Sequence, residues 1–481
     1  MDNRNLYNIT YNYLFNCIHF GLYPTGSSLP TIPELCRTFH VSSATIHNAL
    51  KLLQEEHYVS LSQGRSAIVT YDIKEEECRA RYTAYSYATK DALLDLCETM
   101  RLMWPEVMLL GLKLCGEEDL KALTGMWERM TPYSEYPYFE FFFHILKSYG
   151  NPFFLNLYLS TCFFGHPSIM HLGDQAYLYG YMTYLKKATS EILALRKACE
   201  YDELKELLVR LYGRQIEAMH LYYDTLPRPE HPIPPIPYEW NYFSERPLVH
   251  FNLAVKLLRQ IYSSYANQAY LPPFTALAKQ YSVPLITVRR AMKILSDIGV
   301  VETIVGKGTR VLIGSDTAAA ISDFSNPNLK RALLQYLQST QIVLVICKDV
   351  ARSILPGLSD SSIQSTAAWL RKVQNSGDHY MTFGICFDML HEKEQSPALR
   401  EILGGLMCCQ YLGYPLYGTK PRALIFSPRS TAVLLKSLEE KDAEVFGAEM
   451  QRLALDIFQA AKEKMIAGGI PEAEALVLPP L

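Results

Sequence analysis

The sequence has 481 residues, 49% of them hydrophobic and 20% charged, with a formal net charge of −3. At about 100–200 residues per domain this leaves room for three or four domains with sizeable cores, and it excludes a polybasic tail or an acidic disordered chain. The first residues lack a basic segment followed by an apolar run, and no apolar stretch reaches the roughly 18 residues that span a bilayer; a cytoplasmic protein with no membrane partner is expected. The eleven cysteines are scattered without a CxxC pair, which fits reduced thiols.

In chain order, Asn5–Phe20 carries Leu6, Ile9, Tyr13, Cys17 and Phe20 at helical spacing. A turn at Pro24–Gly26 follows. Pro30 and Thr31 open a short helix to Phe39, with Thr31 as N-cap. Val41 and Ser42 precede a third helix with Ile46, Ala49, Leu50 and Leu53 on one face. Two β-type runs, 58–61 and 67–71, flank Gln63-Gly64-Arg65 and predict a hairpin. A short helix, a tight turn and a second helix place the second helix in a major groove. Glycine at a wing tip lets the chain come close to a backbone. The candidate DNA contacts are Thr31, Ser43, Thr45, His47, Asn48, Gly64 and Arg65.

Residues 73–226 have helical periodicity. Within them Tyr177, Tyr181 and Tyr184 stand at i, i+4 and i+7, a stripe that packs a core or lines a pocket for an apolar or aromatic effector. Cys162, Cys408 and Cys409 read as buried structural thiols, because nothing near them lowers a thiol pKa. The proline run of 227–246 cannot be helix and predicts an extended, semi-rigid connector.

Residues 271–312 then repeat 29–70 without a gap. Val41 aligns with Val283 and Gly64 with Gly306, an offset of 242 each time. A period this long means duplicated domains. The second copy predicts helices over 272–281 and 284–297, a stop at Gly299, and strands around Gly306-Lys307-Gly308. Its candidate DNA contacts are Thr287, Arg289, Arg290, Lys293, Gly306, Lys307 and Gly308. Residues 1–72 carry four basic against five acidic side chains, net −1, whereas 246–314 carry nine against two, net +7. Phosphate neutralisation dominates affinity for DNA, so the second copy should supply most of it.

At these residues the sequence resembles the GntR family of bacterial transcription regulators. The first copy carries Glu34-Leu35, Val41-Ser42-Ser43-Ala44-Thr45-Ile46-His47-Asn48-Ala49-Leu50 and Gln63-Gly64-Arg65. The second carries Leu277-Ala278, Thr287-Val288-Arg289-Arg290-Ala291 and Gly306-Lys307-Gly308-Thr309. Both depart from the family's arginines: Pro33, Ser43 and His47 stand at those places in copy one, Thr275 and Leu285 in copy two, which keeps Arg289. The helical stretch is similar to the sensor domain of the FadR branch, through Glu140, His144 and Gly150-Asn151-Pro152; residues 380–403 resemble it more weakly.

That branch implies a divalent metal held by an acid and three histidines. Glu140 and His144, at i and i+4, share a helix face, but 191–213 hold no histidine, and His166, His171 and His220 are off pattern. In the second copy Ile385 and Met389 take the two places. The expectation is no metal and no cofactor, with His144 a core histidine bonded to Glu140. Glu140, His144, Tyr177, Tyr181 and Tyr184 are the candidate effector pocket.

The resemblance implies a mainly α chain. Two winged helix-turn-helix domains, each with three helices and a hairpin wing, alternate with two all-helical bundles as an internal pseudo-dimer. The expected division is 1–72, 73–226, a linker over 227–246, 247–314 and 315–481. The expected partners are double-stranded DNA with an asymmetric operator and a small-molecule effector, with self-association left open. The alternative is a scaffold or ligand sensor that no longer binds DNA specifically. An enzyme is not expected: there is no P-loop, GxSxG or HExxH motif, and 315–481 is too short and too helical for an aminotransferase-like domain.

Overall fold

The computed structural model describes residues 4–19, 23–39, 41–72, 74–131, 136–170, 175–240, 249–263, 270–297, 299–312, 327–377, 379–413, 416 and 427–481. Two compact units result, one of 1–245 with 396–401 and 479–481, the other of 246–395 and 402–478.

The first unit begins with α1 (Arg4–His19), α2 (Ile32–Phe39) and α3 (Ser43–Glu55), then a hairpin of β1 (Val59–Ser60) and β2 (Ile68–Val69). The second begins with α10 (Val249–Ser263), α11 (Phe274–Gln280) and α12 (Leu285–Asp297), then β3 (Val301–Ile304) and β4 (Gly308–Val311). The repeat holds at the level of single hydrogen bonds. Leu29 N–H donates to Ala67 O and Leu271 N–H to Thr309 O; Tyr58 N–H donates to Leu53 O and Val300 N–H to Leu295 O; Arg65 N–H donates to Ser62 O and Lys307 N–H to Ile304 O. Val59 pairs with Val69 as Val301 pairs with Val311. Each partner is displaced by the same 242 residues.

One position tests that equivalence. The chain leaves α3 through His57 at φ +66° and leaves α12 through Gly299 at φ +75°. A helix commonly ends on a left-handed residue, and glycine takes that conformation without a Cβ penalty. Copy one makes the same exit with a histidine, which strains its backbone.

The helical parts also follow one plan. In the first unit α4 (Glu75–Leu114), α5 (Glu117–Arg129), α6 (Tyr136–Lys147), α7 (Pro152–Met170), α8 (Gln175–Ala198) and α9 (Tyr201–Thr225) follow the wing. In the second, α13 (Pro327–Ile354), α14 (Asp360–Ser376), α15 (Thr382–Lys393), α16 (Pro397–Gln410, of which 397–401 count with the first unit), α17 (Pro428–Glu439) and α18 (Ala443–Ala467) do so. The long first helix packs on the last in each case, α4 on α9 and α13 on α18; α5 packs on α6 as α14 on α15, and α8 on α9 as α17 on α18. In α18 the buried Phe446, Met450, Leu453, Ile457, Phe458, Ala461 and Met465 form the stripe that holds such a helix in a bundle.

The proline-rich stretch is extended, but its end is clamped to the first bundle. Ile236 N–H donates to Ala88 O on α4 at 2.9 Å. Tyr238 and Trp240 are buried. The Tyr238 hydroxyl lies 3.1 Å from Ser160 Oγ, and Trp240 Nε1–H donates to Asn156 Oδ1 at 2.8 Å, both on α7. Two large aromatic side chains gain more by burial than a free spacer would, so the run is a strap on the bundle at this end.

Candidate DNA interface and sensor bundle

Helix α3 is started by Ser42, whose hydroxyl accepts from Thr45 N–H. Thr31 and Glu34 form a reciprocal cap on α2: the Thr31 backbone N–H and hydroxyl both donate to Glu34 Oε2 at 2.7 Å, and Glu34 N–H donates back to Thr31 Oγ1. The Thr31 hydroxyl is thereby engaged in capping, although the residue is exposed. Thr45 is a correction to the set of DNA contacts. It is 2% exposed and lies 3.0 Å from Ser42 Oγ. A side chain closed under its own helix start has no path to a base edge.

The outward face of α3 is Ser43, Ala44, His47, Asn48 and Lys51, all exposed. The matching face of α12 is Leu285, Ile286, Arg289, Arg290 and Lys293, also all exposed, above a buried face of Val288, Ala291, Met292 and Leu295. Thr287 sits half-buried between the two. Lys293 Nζ is 3.6 Å from Asp297. Arg289, Arg290 and Lys307 have no ion pair among the described residues. Arg290 lies near His250 on α10, whose imidazole is held below its ordinary pKa by burial first and by that guanidinium second.

Gly64 and Gly306 turn the wing tips at φ +72° and +78°, with no atom near a would-be Cβ. Arg65 and Lys307 are exposed beside them, as is Gly308. The tip residue before the glycine is Gln63 in the first wing and Val305, 98% exposed, in the second. Each module by itself thus presents the exposed face of a short helix together with a glycine-tipped hairpin, the two parts a winged helix offers to a duplex.

Comparison with known sequences decides the family. The pattern described as "Bacterial regulatory proteins, gntR family" matches residues 6–69 and again 252–311. Both modules are GntR-family domains. The GntR match covers α1 to β2 and α10 to β4, the two segments already related by the offset of 242. By domain content the chain carries two DNA-binding modules of the kind found in bacterial transcription regulators. No curated protein matches the sequence.

Among solved structures, E. coli McbR/YncC is 17% identical, with 45% of this chain and 98% of that chain covered and a TM-score of 0.24. The chain of a structure titled for Lar, said to control expression of the Listeria monocytogenes agr system, is 16% identical, with 45% and 96% covered and a TM-score of 0.25. Streptococcus agalactiae GntR is 16% identical, with 44% and 99% covered and a TM-score of 0.21. At such scores the superpositions fix nothing about this chain, and the assignment rests on the two matched segments.

Of the residues expected to line an effector pocket, Glu140 and His144 each take a partner on α5. Glu140 is buried and accepts from Arg129 at 2.7 Å, and His144 Nε2 lies 2.9 Å from Asp119 Oδ1. The expected Glu140–His144 bond is therefore absent. Neighbours at i and i+4 on α6 each find a stronger partner on α5, where a guanidinium and a carboxylate are already in reach. Asp119 also accepts from Gly116 N–H at the start of α5. These residues do not fit a metal centre, since both candidate ligands are committed to the α5–α6 seam. Among the described residues no three His, Cys, Asp or Glu side chains stand together as a metal set. The His166 and His171 side chains lie outside the described residues.

Tyr181 is near Tyr158 and Tyr212, both buried, whose phenols are pushed far above their ordinary pKa by burial, with Cys162 also beside both. Tyr184 is half-buried; burial raises its pKa, and Arg214 and Arg210 on α9 oppose that. The Tyr177 side chain lies outside the described residues. The interior cluster of Tyr158, Cys162, Tyr181 and Tyr212 was missed by sequence spacing, because its members come from three helices. Cys408 is half-buried and Cys409 fully buried, with the Cys409 thiol pushed well above its ordinary pKa by burial.

Proposed function

We propose that one chain acts as a pseudo-dimer that reads a non-palindromic operator, with the second module carrying most of the affinity and a small-molecule effector acting through the first bundle. The expected division into 1–72, 73–226, 227–246, 247–314 and 315–481 belongs to this proposal. The observation that carries it is the outward face of α12. Arg289, Arg290 and Lys293 are exposed on it and Lys307 is exposed at the wing tip, in a segment of net charge +7. The equivalent face of α3 has one cation, Lys51, in a segment of net −1. Unlike readers on two half-sites prefer an asymmetric sequence.

The route from sensor to reader is α7. It contributes Tyr158 and Cys162 to the interior cluster. Its Phe163 ring meets Tyr13 of α1 at 4.6 Å and Phe39 of α2 at 5.4 Å. A ligand that shifts α7 shifts the first winged helix with it.

The test is selection of bound duplexes from a random pool by the full chain, followed by salt-titrated affinity on the recovered site. An asymmetric site with a steep salt slope is expected. A symmetric palindrome on which both modules matter equally would overturn the asymmetric reading. No enrichment of any duplex would favour a scaffold or ligand sensor, the reading to which the weakly charged α3 face points.

A further inference from the structure

The first turn of α12 is where a recognition helix reaches deepest into the groove, and here it is aliphatic. Leu285 is 37% and Ile286 54% exposed, on the same face as Arg289, Arg290 and Lys293. Leu285 and Arg289 are one turn apart, as are Ile286 and Arg290. Branched aliphatic surface left in solvent on the outside of an amphipathic helix costs solubility, and Ile286 leaves more of it uncovered than Leu285. Val288, Ala291, Met292 and Leu295 already fill the core beneath. Copy one has Ser43 and Ala44 at the same two places.

The cations on this face fix what covers it: a polyanion whose groove edge is apolar at discrete points. In the major groove that apolar point is the 5-methyl group of thymine, which aliphatic side chains contact directly.

We propose that Leu285 and Ile286 are specificity-determining residues that read thymine methyl groups in the half-site of the second module. The proposal rests on the regulator reading above. Arg289 and Arg290 hold the helix to the duplex through phosphate or guanine, and the two aliphatic side chains close over one or two methyls at the groove floor. Recognition in this half-site is then part apolar, which compensates for the arginine that Leu285 replaces. The discrimination comes from removing a methyl and an aliphatic surface from water together, worth about fourfold in affinity per methyl.

The probe is the duplex recovered by selection with the full chain, resynthesised with deoxyuridine in place of each thymine in turn. That exchange removes the methyl and leaves pairing and every hydrogen-bonding edge intact. One or two positions should lose about fourfold in affinity. In Leu285→Ala and Ile286→Ala those losses should disappear while binding to the deoxyuridine duplex stays near that of the unaltered protein. Both changes place alanine at exposed helix positions, so folding is preserved. Thymines read by the first module should be unaffected by either change. A recovered site whose affinity ignores every thymine methyl would overturn this proposal and leave the regulator reading standing. So would variants that keep full discrimination. Failure to enrich any duplex would overturn both.

Discussion

Helices α3 and α12 are each 13 residues long, start at equivalent positions and bury matching residues, Ile46 with Val288, Ala49 with Ala291, Leu50 with Met292 and Leu53 with Leu295. Their outer faces share one residue type in five places, the lysine at 51 and 293. The difference shows where a duplicated domain is free to change. The buried face is tied to a close-packed core, in which even a methylene is felt. The outer face answers only to what it binds. Two identical surfaces would be held to a palindrome; these two are not.

The largest expected effect separates the first unit from the second. Trp240→Ala removes a buried indole and its bond to Asn156, and should cost the first unit about 3–5 kcal/mol. Hydrogen exchange should show lost protection in α4 and α7 and none in α13 or α18. Equal loss in both units would mean that the strap is not local to the first bundle.

Next comes the comparison of readers. Arg289→Ala should weaken binding to the selected site by about 1–3 kcal/mol and relax one base position, whereas His47→Ala should cost less. Lys307→Ala should weaken all sequences alike and lower the salt slope by about one unit. Salt-titrated affinities of the three variants decide this, and matched losses at 47 and 289 would erase the asymmetry.

A smaller effect concerns the scaffold. His57→Gly should stabilise the first winged helix by about 1 kcal/mol, and Gly299→Ala should destabilise the second by about as much. Denaturant-dependent exchange of the α3 and α12 amides reads each module by itself. An unchanged α3 in His57→Gly would show that the left-handed histidine carries no strain.

The smallest effect is expected for metal. Elemental analysis before and after His144→Ala should give the same content, because His144 is spent on Asp119. Near one equivalent of zinc, nickel or manganese, lost on that change, would contradict the reading of α6 as a packing seam.

Much of the fold was legible because it is local. The winged helices follow from helical spacing, a serine cap, glycine turns and a repeat without gaps, each of which acts within a few residues. The asymmetry of charge was legible too, since net charge needs no coordinates. Thr45 was not, because spacing places it near the reading face, and only the closed turn over Ser42 takes it out of reach. Ile286 carried a signal that spacing could have given, an aliphatic residue off the period of the buried stripe of α12, whereas Leu285, three residues before Val288, continues that stripe in sequence and only its exposure in the structure sets it apart.

What the sequence determined by itself is the order of elements and the pairing of the two copies, because backbone propensity and hydrophobic period are properties of short segments. What only the tertiary structure decided is which partner each polar group takes. Glu140 bonds Arg129 and His144 bonds Asp119 rather than each other, and Trp240 finds Asn156 across 84 residues of chain. A buried charge or donor must be satisfied by whatever lies nearest in space, and in a helical bundle the nearest group belongs to another helix.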